Sequence, residues 1–172
     1  IEIPRIKVYL PIYYEGGNAL EKGAVHLMNT SLPVGGENTH AVLSAHTGYP
    51  RAKMFDNLIQ LKEGELFFLY VLKNKMAYQV DRIQIVSPED TEALEIQEGK
   101  DYVTLLTCYP YGINTHRLLV RASRVEDRIE EQKQIQKADV HKEESLGIFY
   151  GIPIMLAVAA ILFVGRNRKR RK

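Results

Sequence analysis

The sequence has very little cysteine and no tryptophan. Its 172 residues contain one cysteine, Cys108. A single thiol excludes an internal disulfide and any metal site that needs a pair of cysteines. The hydrophobic fraction of 45% and the charged fraction of 26% are ordinary for a soluble globular protein, and the length suffices for one domain with a real core.

Most of the chain also lacks an excess of positive charge. The formal net charge is +2, but six of the 23 basic residues lie in the last seven positions, RNRKRRK at 166–172. Residues 1–165 therefore carry 17 Lys and Arg against 21 Asp and Glu, a net charge of −4. A mildly acidic body argues against a nucleic-acid-binding protein, so no nucleic-acid partner is expected.

An initiator methionine and a signal peptide are missing as well, since the sequence opens with Ile1. We therefore interpret the chain as a fragment or a processed product.

Short β-prone runs separated by turn residues fill the first 125 positions. Strands are predicted at 3–12, 24–28, 40–45, 65–72, 76–86, 101–107 and 117–125. Apolar residues at helical spacing predict a short helix at 54–61. This pattern indicates a mainly β domain at 1–126, either a barrel or a sandwich, with short helices.

The remaining residues predict a membrane anchor. Residues 127–145 are polar and charged, as expected of a solvated helical stalk, and 146–165 are twenty uncharged, mostly apolar residues. As a helix, that stretch would be about 30 Å long, the thickness of the hydrocarbon core of a bilayer. The basic tail at 166–172 would then be cytoplasmic, which places the β domain outside the cell membrane.

Chemistry is predicted where β-prone runs end. Cys108 follows one run and Arg117 begins the next, and if the runs pair as antiparallel strands their Cβ atoms lie roughly 5 Å apart. A cation beside a thiol favours the nucleophilic thiolate. His46 likewise ends a run, and His116 in the loop is a second candidate base. From the residues alone, Cys108 could equally be a small buried hydrophobic residue.

These motifs resemble those of a known family. TLLTC at 104–108 followed by Arg117 resembles the TLxTC…R signature of sortases, the cysteine transpeptidases of Gram-positive surfaces. SAHTGYP at 44–50 is similar to their histidine motif. The strings CYPYGINTHRLLVR at 108–121, IPRI at 3–6 and LPIY at 10–13 look most like the pilus-assembling class C branch. The resemblance runs from about residue 3 to residue 125 and implies a sortase-type β-barrel.

The resemblance also implies a reaction. The Cys108 thiolate would attack an LPxTG-like sorting signal, which is cleaved after Thr, and form a thioester that a pilin lysine resolves. His46 would move the protons and Arg117 would stabilise the oxyanion. Pilin subunits are the implied partners, and no metal or organic cofactor is implied. A substrate-binding role is expected for three further residues, Thr104, Thr107 and Tyr109.

Two other functions stay open at this point. One is a housekeeping-type sortase that joins surface proteins to a peptidoglycan amine, although the C-terminal anchor favours the pilus branch. The other is a membrane-anchored pilin or adhesin domain in which Cys108 is only structural. Class C sortases typically carry a lid with an Asp-Pro-aromatic motif, and no Asp-Pro pair occurs here, so we expect an open and reactive site.

Overall fold

The computed structural model describes residues 1–14 and 17–125. The predicted stalk, membrane span and basic tail lie outside these residues, and none of the helices described could cross a bilayer. The described residues form nine strands: β1 (Glu2–Ile3), β2 (Val8–Tyr9), β3 (Ile12–Tyr13), β4 (Ala24–His26), β5 (Thr39–Ser44), β6 (Leu66–Val71), β7 (Asn74–Val86), β8 (Asp101–Tyr109) and β9 (His116–Arg124).

All nine strands belong to one sheet in the order β2-β1-β6-β7-β9-β8-β5-β4-β3. The pairs β3–β4 and β5–β8 are parallel and the other neighbours are antiparallel. The two edge strands, β2 and β3, are separated in the chain only by Leu10 and Pro11. The sheet therefore curls until its edges come close, and the prediction of a mainly β, barrel-like domain is confirmed as a curled half-barrel.

The inner face of the curled sheet holds the hydrophobic core. Alternate residues of the three central strands near the site point inward: Ala41, Leu43 and Ala45 from β5 and just beyond it, Val103 and Leu105 from β8, and Leu118, Val120 and Ala122 from β9. Burial of each large aliphatic side chain stabilises the fold by roughly 1.5–3 kcal/mol. Because successive side chains of a strand alternate between the faces, the residues between these point to the outer face.

The predicted helix at 54–61 is wrong, since only the 3₁₀ turn Leu58–Gln60 forms there. The start of this segment is hydrogen-bonded to the loop that carries His46. The N–H of Phe55 donates to the carbonyl of His46 (3.0 Å), and the Asp56 carboxylate accepts from the N–H groups of Gly48 and Met54 (2.9 Å each). The segment thus fastens the loop that follows β5.

The predicted first strand, 3–12, is also wrong as one element. It is interrupted by the 3₁₀ turn Pro4–Ile6 and by Lys7, whose φ is +55°, so that three two-residue strands replace it. The other helical elements of the described residues are likewise 3₁₀ turns, Ala19–Glu21 and Glu92–Leu94.

Candidate active site

Cys108 and Arg117 are brought together by the β8–β9 pair. The antiparallel register places Cys108 directly opposite Arg117, with one further pair, Tyr109 and His116, before the connecting loop. The predicted pairing is therefore confirmed, although Cys108 lies inside the strand and not at the start of the loop. Its thiol is free and half-buried. Two hydrogen-bonded strands hold the thiol and the guanidinium on one rigid frame.

His46 is placed next to this pair by the parallel strands β5 and β8. Ser44 is the register partner of Leu106, the N–H of Ala45 donates to the carbonyl of Leu106 (3.2 Å), and the Thr107 hydroxyl donates to the carbonyl of Ala45 (2.8 Å). If this register is continued for two residues beyond Ser44 and Leu106, His46 lies opposite Cys108. Since Ala45 and Leu105 point into the core, His46 and Cys108 have the parity of the outer face.

The His46 ring is half-buried and supported by its own loop. It stacks on the ring of Tyr49 with centroids 5.3 Å apart and an interplanar angle of 18°. The Phe55 N–H donates to the backbone carbonyl oxygen of His46. The stacking limits the orientations of the imidazole and the backbone bond holds its loop, as a proton-transferring group requires.

The Arg117 guanidinium is oriented by backbone carbonyls. Its Nη1 donates to the carbonyl oxygens of Asn114 (3.1 Å) and His116 (2.9 Å). The cation also acts on the exposed carboxylate of Glu89, in the segment after β7. The Ser87 hydroxyl is the main cause that lowers the pKa of Glu89, and Arg117 contributes to it. The remaining guanidinium N–H groups are suited to holding a developing oxyanion.

The loop between β8 and β9 touches the loop that carries His46. A Cβ atom added to Gly48 would lie 3.2 Å from the ring of Tyr111, and Gly48 has φ of +75°. Tyr111 and Ile113, both in the loop between β8 and β9, are 67% and 68% exposed. The sequence did not predict this contact between Gly48 and Tyr111.

The predicted substrate-binding roles of Thr104 and Thr107 are wrong. Both residues are buried, at 1% and 2% exposure. The Thr104 hydroxyl is bonded to Nε2 of His40 (2.7 Å), and the Thr107 hydroxyl donates to the carbonyl of Ala45. Neither hydroxyl is available to a peptide, so both threonines hold the strands that present the site.

Tyr109 and His116 are placed differently from Cys108 and Arg117. Tyr109 is half-buried against the hydrophobic core, on the parity opposite to that of Cys108, and its expected substrate contact stays a prediction. His116 is exposed, and its Nδ1 lies 2.9 Å from the Thr115 hydroxyl. By strand alternation its side chain does not share the face of Arg117. His46 is therefore the histidine that the fold places with the thiol.

Comparison with known proteins identifies the domain. A family model described as "Sortase domain" matches residues 1–125. Sortase D of Bacillus subtilis is 33% identical over 130 residues, which cover 73% of this chain and 62% of that protein. The chain thus spans about three fifths of the length of this curated relative.

Solved structures are more similar. Sortase C of Streptococcus pneumoniae, whose structure is described as giving insights into catalysis and pilin substrate specificity, matches with a TM-score of 0.71 and 52% identity over 73% of this chain and 66% of that one. Sortase C of Clostridium perfringens, solved with the C-terminal cell wall sorting motif, matches with a TM-score of 0.69 and 56% identity over 73% and 68%.

Proposed function

Because this chain belongs to the sortase family and its similar solved structures are class C sortases, we propose that it is a cysteine transpeptidase with Cys108 as its nucleophile. The observation that carries the proposal is the direct opposition of Cys108 and Arg117, with His46 set beside them on the same face by the β5–β8 register. A thiol and a permanent cation on paired strands, with a titratable base on the adjoining loop, supply the groups that acyl transfer uses.

In the first half-reaction the Cys108 thiolate attacks the carbonyl carbon of the scissile peptide bond, and a C–S bond forms. Negative charge moves to the carbonyl oxygen, which the Arg117 guanidinium stabilises. The C–N bond then breaks, and the leaving amine takes a proton from His46. A thioester on Cys108 and a free amine product result.

In the second half-reaction an incoming amine gives its proton to His46 and attacks the thioester carbon. The oxyanion forms again beside Arg117, the C–S bond breaks, and the thiolate is released. The product is a new amide bond, and the protonation states of His46 and Cys108 are restored. Water in place of the amine would give hydrolysis.

We propose an LPxTG-like sorting signal, cleaved after Thr, as the acyl donor and a pilin lysine as the acceptor. The support is the similarity to class C sortases, one of which is described with pilin substrate specificity and another with a cell wall sorting motif. The exposed side chains of Tyr111 and Ile113 beside the site offer apolar area to such a peptide.

The test supplies both substrates to the purified chain. A candidate pilin with its sorting signal should give a ladder of covalent multimers, and replacing the acceptor lysines of the pilin with arginine should stop the ladder while peptide cleavage continues. Cleavage without any ladder from the intact pilin would contradict polymerisation.

The second candidate is a housekeeping-type sortase with a peptidoglycan amine as acceptor. The curated relatives that favour it include proteins named Sortase A, which are about 30% identical to this chain. Competition between a cell-wall stem peptide amine and the pilin lysine in one reaction decides between the two. Preferential labelling of the stem peptide would select the housekeeping function.

We also propose that residues 146–165 anchor the protein in the cell membrane with the β domain outside, as their length and the following basic tail favour. Protease added to intact cells should release the domain under this proposal. Complete protection would contradict the orientation.

A further inference from the structure

A second histidine lies on the outer face of the sheet, six residues before His46 in the chain. His40 in β5 is 1% exposed and both of its ring nitrogens have partners. Nδ1 lies 2.9 Å from the carbonyl oxygen of Glu95, and Nε2 lies 2.7 Å from the hydroxyl oxygen of Thr104. His40 has no role in the reaction mechanism proposed above.

The partners define the protons of the ring. A carbonyl oxygen only accepts, so Nδ1 must carry the proton that it donates to Glu95. Nε2 can then accept a hydrogen bond from the Thr104 hydroxyl, and the ring is neutral in a single tautomer. The charged side chains that act on the ring are Arg121, which lies over the neighbouring Tyr102 ring, and Asp81, which pairs with Arg121.

Glu95 belongs to the connection between β7 and β8, residues 87–100. This connection starts beside the site, because Val86 is the register partner of Arg117 and the Glu89 carboxylate feels the charge of Arg117. It then passes the outer face at Thr104 and rejoins the sheet at Asp101. Most of the connection is exposed, and only Ala93 and Leu94 are half-buried. Little apolar burial therefore holds it.

Few hydrogen bonds fix the connection to the sheet. Its last residues are held by three bonds: from Gly99 N–H to the Asn38 side chain (2.7 Å), from Thr39 N–H to the Lys100 carbonyl (3.1 Å) and from the Tyr102 hydroxyl to Oε1 of Gln97 (3.4 Å). For residues 88–96, the bond from His40 to Glu95 is the one hydrogen bond to the sheet among the described residues. A single buried donor thus joins the middle of this segment to the sheet by a hydrogen bond.

We propose that His40 is a positioning residue that fastens residues 88–96 beside the Cys108–Arg117 face, so that this segment forms one wall of the peptide-binding groove. That the groove binds a peptide rests on the transpeptidase function proposed above. The bond by which His40 holds residues 88–96 does not depend on that function, because it is a property of the folded chain alone. His40 contacts the wall and not the reacting atoms, so it acts on peptide binding and leaves the chemistry of Cys108 in place.

Two substitutions separate the bonds of His40. In His40→Asn the amide nitrogen takes roughly the place of Nδ1 and keeps a donor for the Glu95 carbonyl. In His40→Gln the amide reaches the place of Nε2, so Thr104 keeps a partner and Glu95 loses its donor. Loss of one hydrogen bond to a lightly packed segment should raise its amide hydrogen exchange by about tenfold. We expect this rise at residues 90–96 in His40→Gln, and less than about threefold in His40→Asn.

Kinetics test the wall. His40→Gln should raise KM for a sorting peptide by about fivefold or more, with kcat within about twofold of the parent. The rate at which a small thiol reagent alkylates Cys108 should stay unchanged. If amide exchange at 90–96 in His40→Gln equals that of the parent, His40 does not hold this segment. If exchange is faster but KM is unchanged, the segment does not form a wall of the peptide-binding groove.

A measurement on the parent chain guards against a variant that fails to fold. The ¹⁵N shifts of the His40 ring should show the Nδ1–H tautomer at neutral pH, and the Nε2–H tautomer would contradict the proposal. Exchange and ring shifts need no turnover, so they remain informative if the parent shows no transpeptidase activity. Absence of turnover in the parent would instead count against the proposed function.

Discussion

Cys108 and Arg117 are directly opposed residues in the antiparallel pair β8–β9, one step before the ladder ends. Each position is fixed by strand hydrogen bonding, and the guanidinium is further held by the carbonyls of Asn114 and His116. Groups mounted on strands keep their separation better than groups on loops. This relationship supports the assignment of the thiol as nucleophile and the guanidinium as oxyanion-stabilising group.

Arg117→Lys should not be a conservative change. Lysine keeps the positive charge but lacks the planar set of donors that can bind two backbone carbonyls and an oxyanion together. We expect kcat/KM for a sorting peptide to fall by roughly 100-fold, as for removal of an oxyanion donor. Arg82→Lys, at an exposed position of β7, is the matched control and should stay close to the parent. Equal activities of the two variants would mean that Arg117 serves only as a generic cation.

Gly48→Ala should disturb the contact between the two loops of the site. Gly48 has φ of +75° and its Cβ would press on the Tyr111 ring. The left-handed conformation alone should cost about 1–2 kcal/mol in the free energy of unfolding. Displacement of the loops should lower kcat/KM by a further factor of about ten.

Gly64→Ala separates the two effects of the Gly48 substitution. Gly64 has φ of +90°, but the nearest atom to its Cβ would be 3.9 Å away. Chemical denaturation should therefore show a similar loss of stability, while peptide cleavage by the folded protein stays normal. If Gly64→Ala lowers activity as much as Gly48→Ala does, the contact with Tyr111 has no special role.

Stability should fall in mild acid because of His40. Burial lowers the pKa of His40 from its ordinary value of 6.5, with a smaller raising effect from its bond to the Glu95 carbonyl. The unfolded chain then binds a proton near pH 6.5 that the folded chain does not, so the free energy of unfolding decreases as the pH falls below about 6.5. The stability that neutral His40 contributes is fully present above that value.

The pH prediction is checked by denaturation of the parent and of His40→Asn at about pH 7.5 and about pH 5.5. The nearby charges of Arg121 and Asp81 are common to both proteins, as are the other histidines. The parent should lose more stability than the variant over this interval. Equal losses would show that His40 is protonated as easily in the folded chain as in the unfolded one.

The opposition of Cys108 and Arg117 could be predicted from sequence because two β-prone runs flank one loop rich in turn residues. Counting inward from such a loop gives the register of an antiparallel pair. The position of His46 could not be derived in this way, since it depends on a parallel pairing between β5 and β8, which are more than fifty residues apart. The end of a β-prone run and the motif resemblance both marked His46 as a candidate, but neither gave its place relative to the thiol.

The burial of residues on the outer face of the sheet was the main feature that could not be predicted from the sequence. Thr104 reads as a strand residue with a free hydroxyl, yet it is covered where the exposed connection 87–100 passes over the sheet. The helix predicted at 54–61 does not form, for a related reason. Its spacing is helical, but its start is bonded to the loop that carries His46, and its later N–H groups make only i to i−3 bonds. Long-range contacts decided both cases.

The most direct test of the nucleophile assignment is mass spectrometry of the chain after brief incubation with an LPxTG-like peptide and acid quenching. We predict an added mass equal to the acyl part of the cleaved peptide, located on Cys108 and removed by hydroxylamine, and no adduct on Cys108→Ala, which should fold normally and keep less than about 1% of the activity. Cleavage of the peptide by Cys108→Ala at the parental rate, or an acyl group on any other residue, would contradict the account.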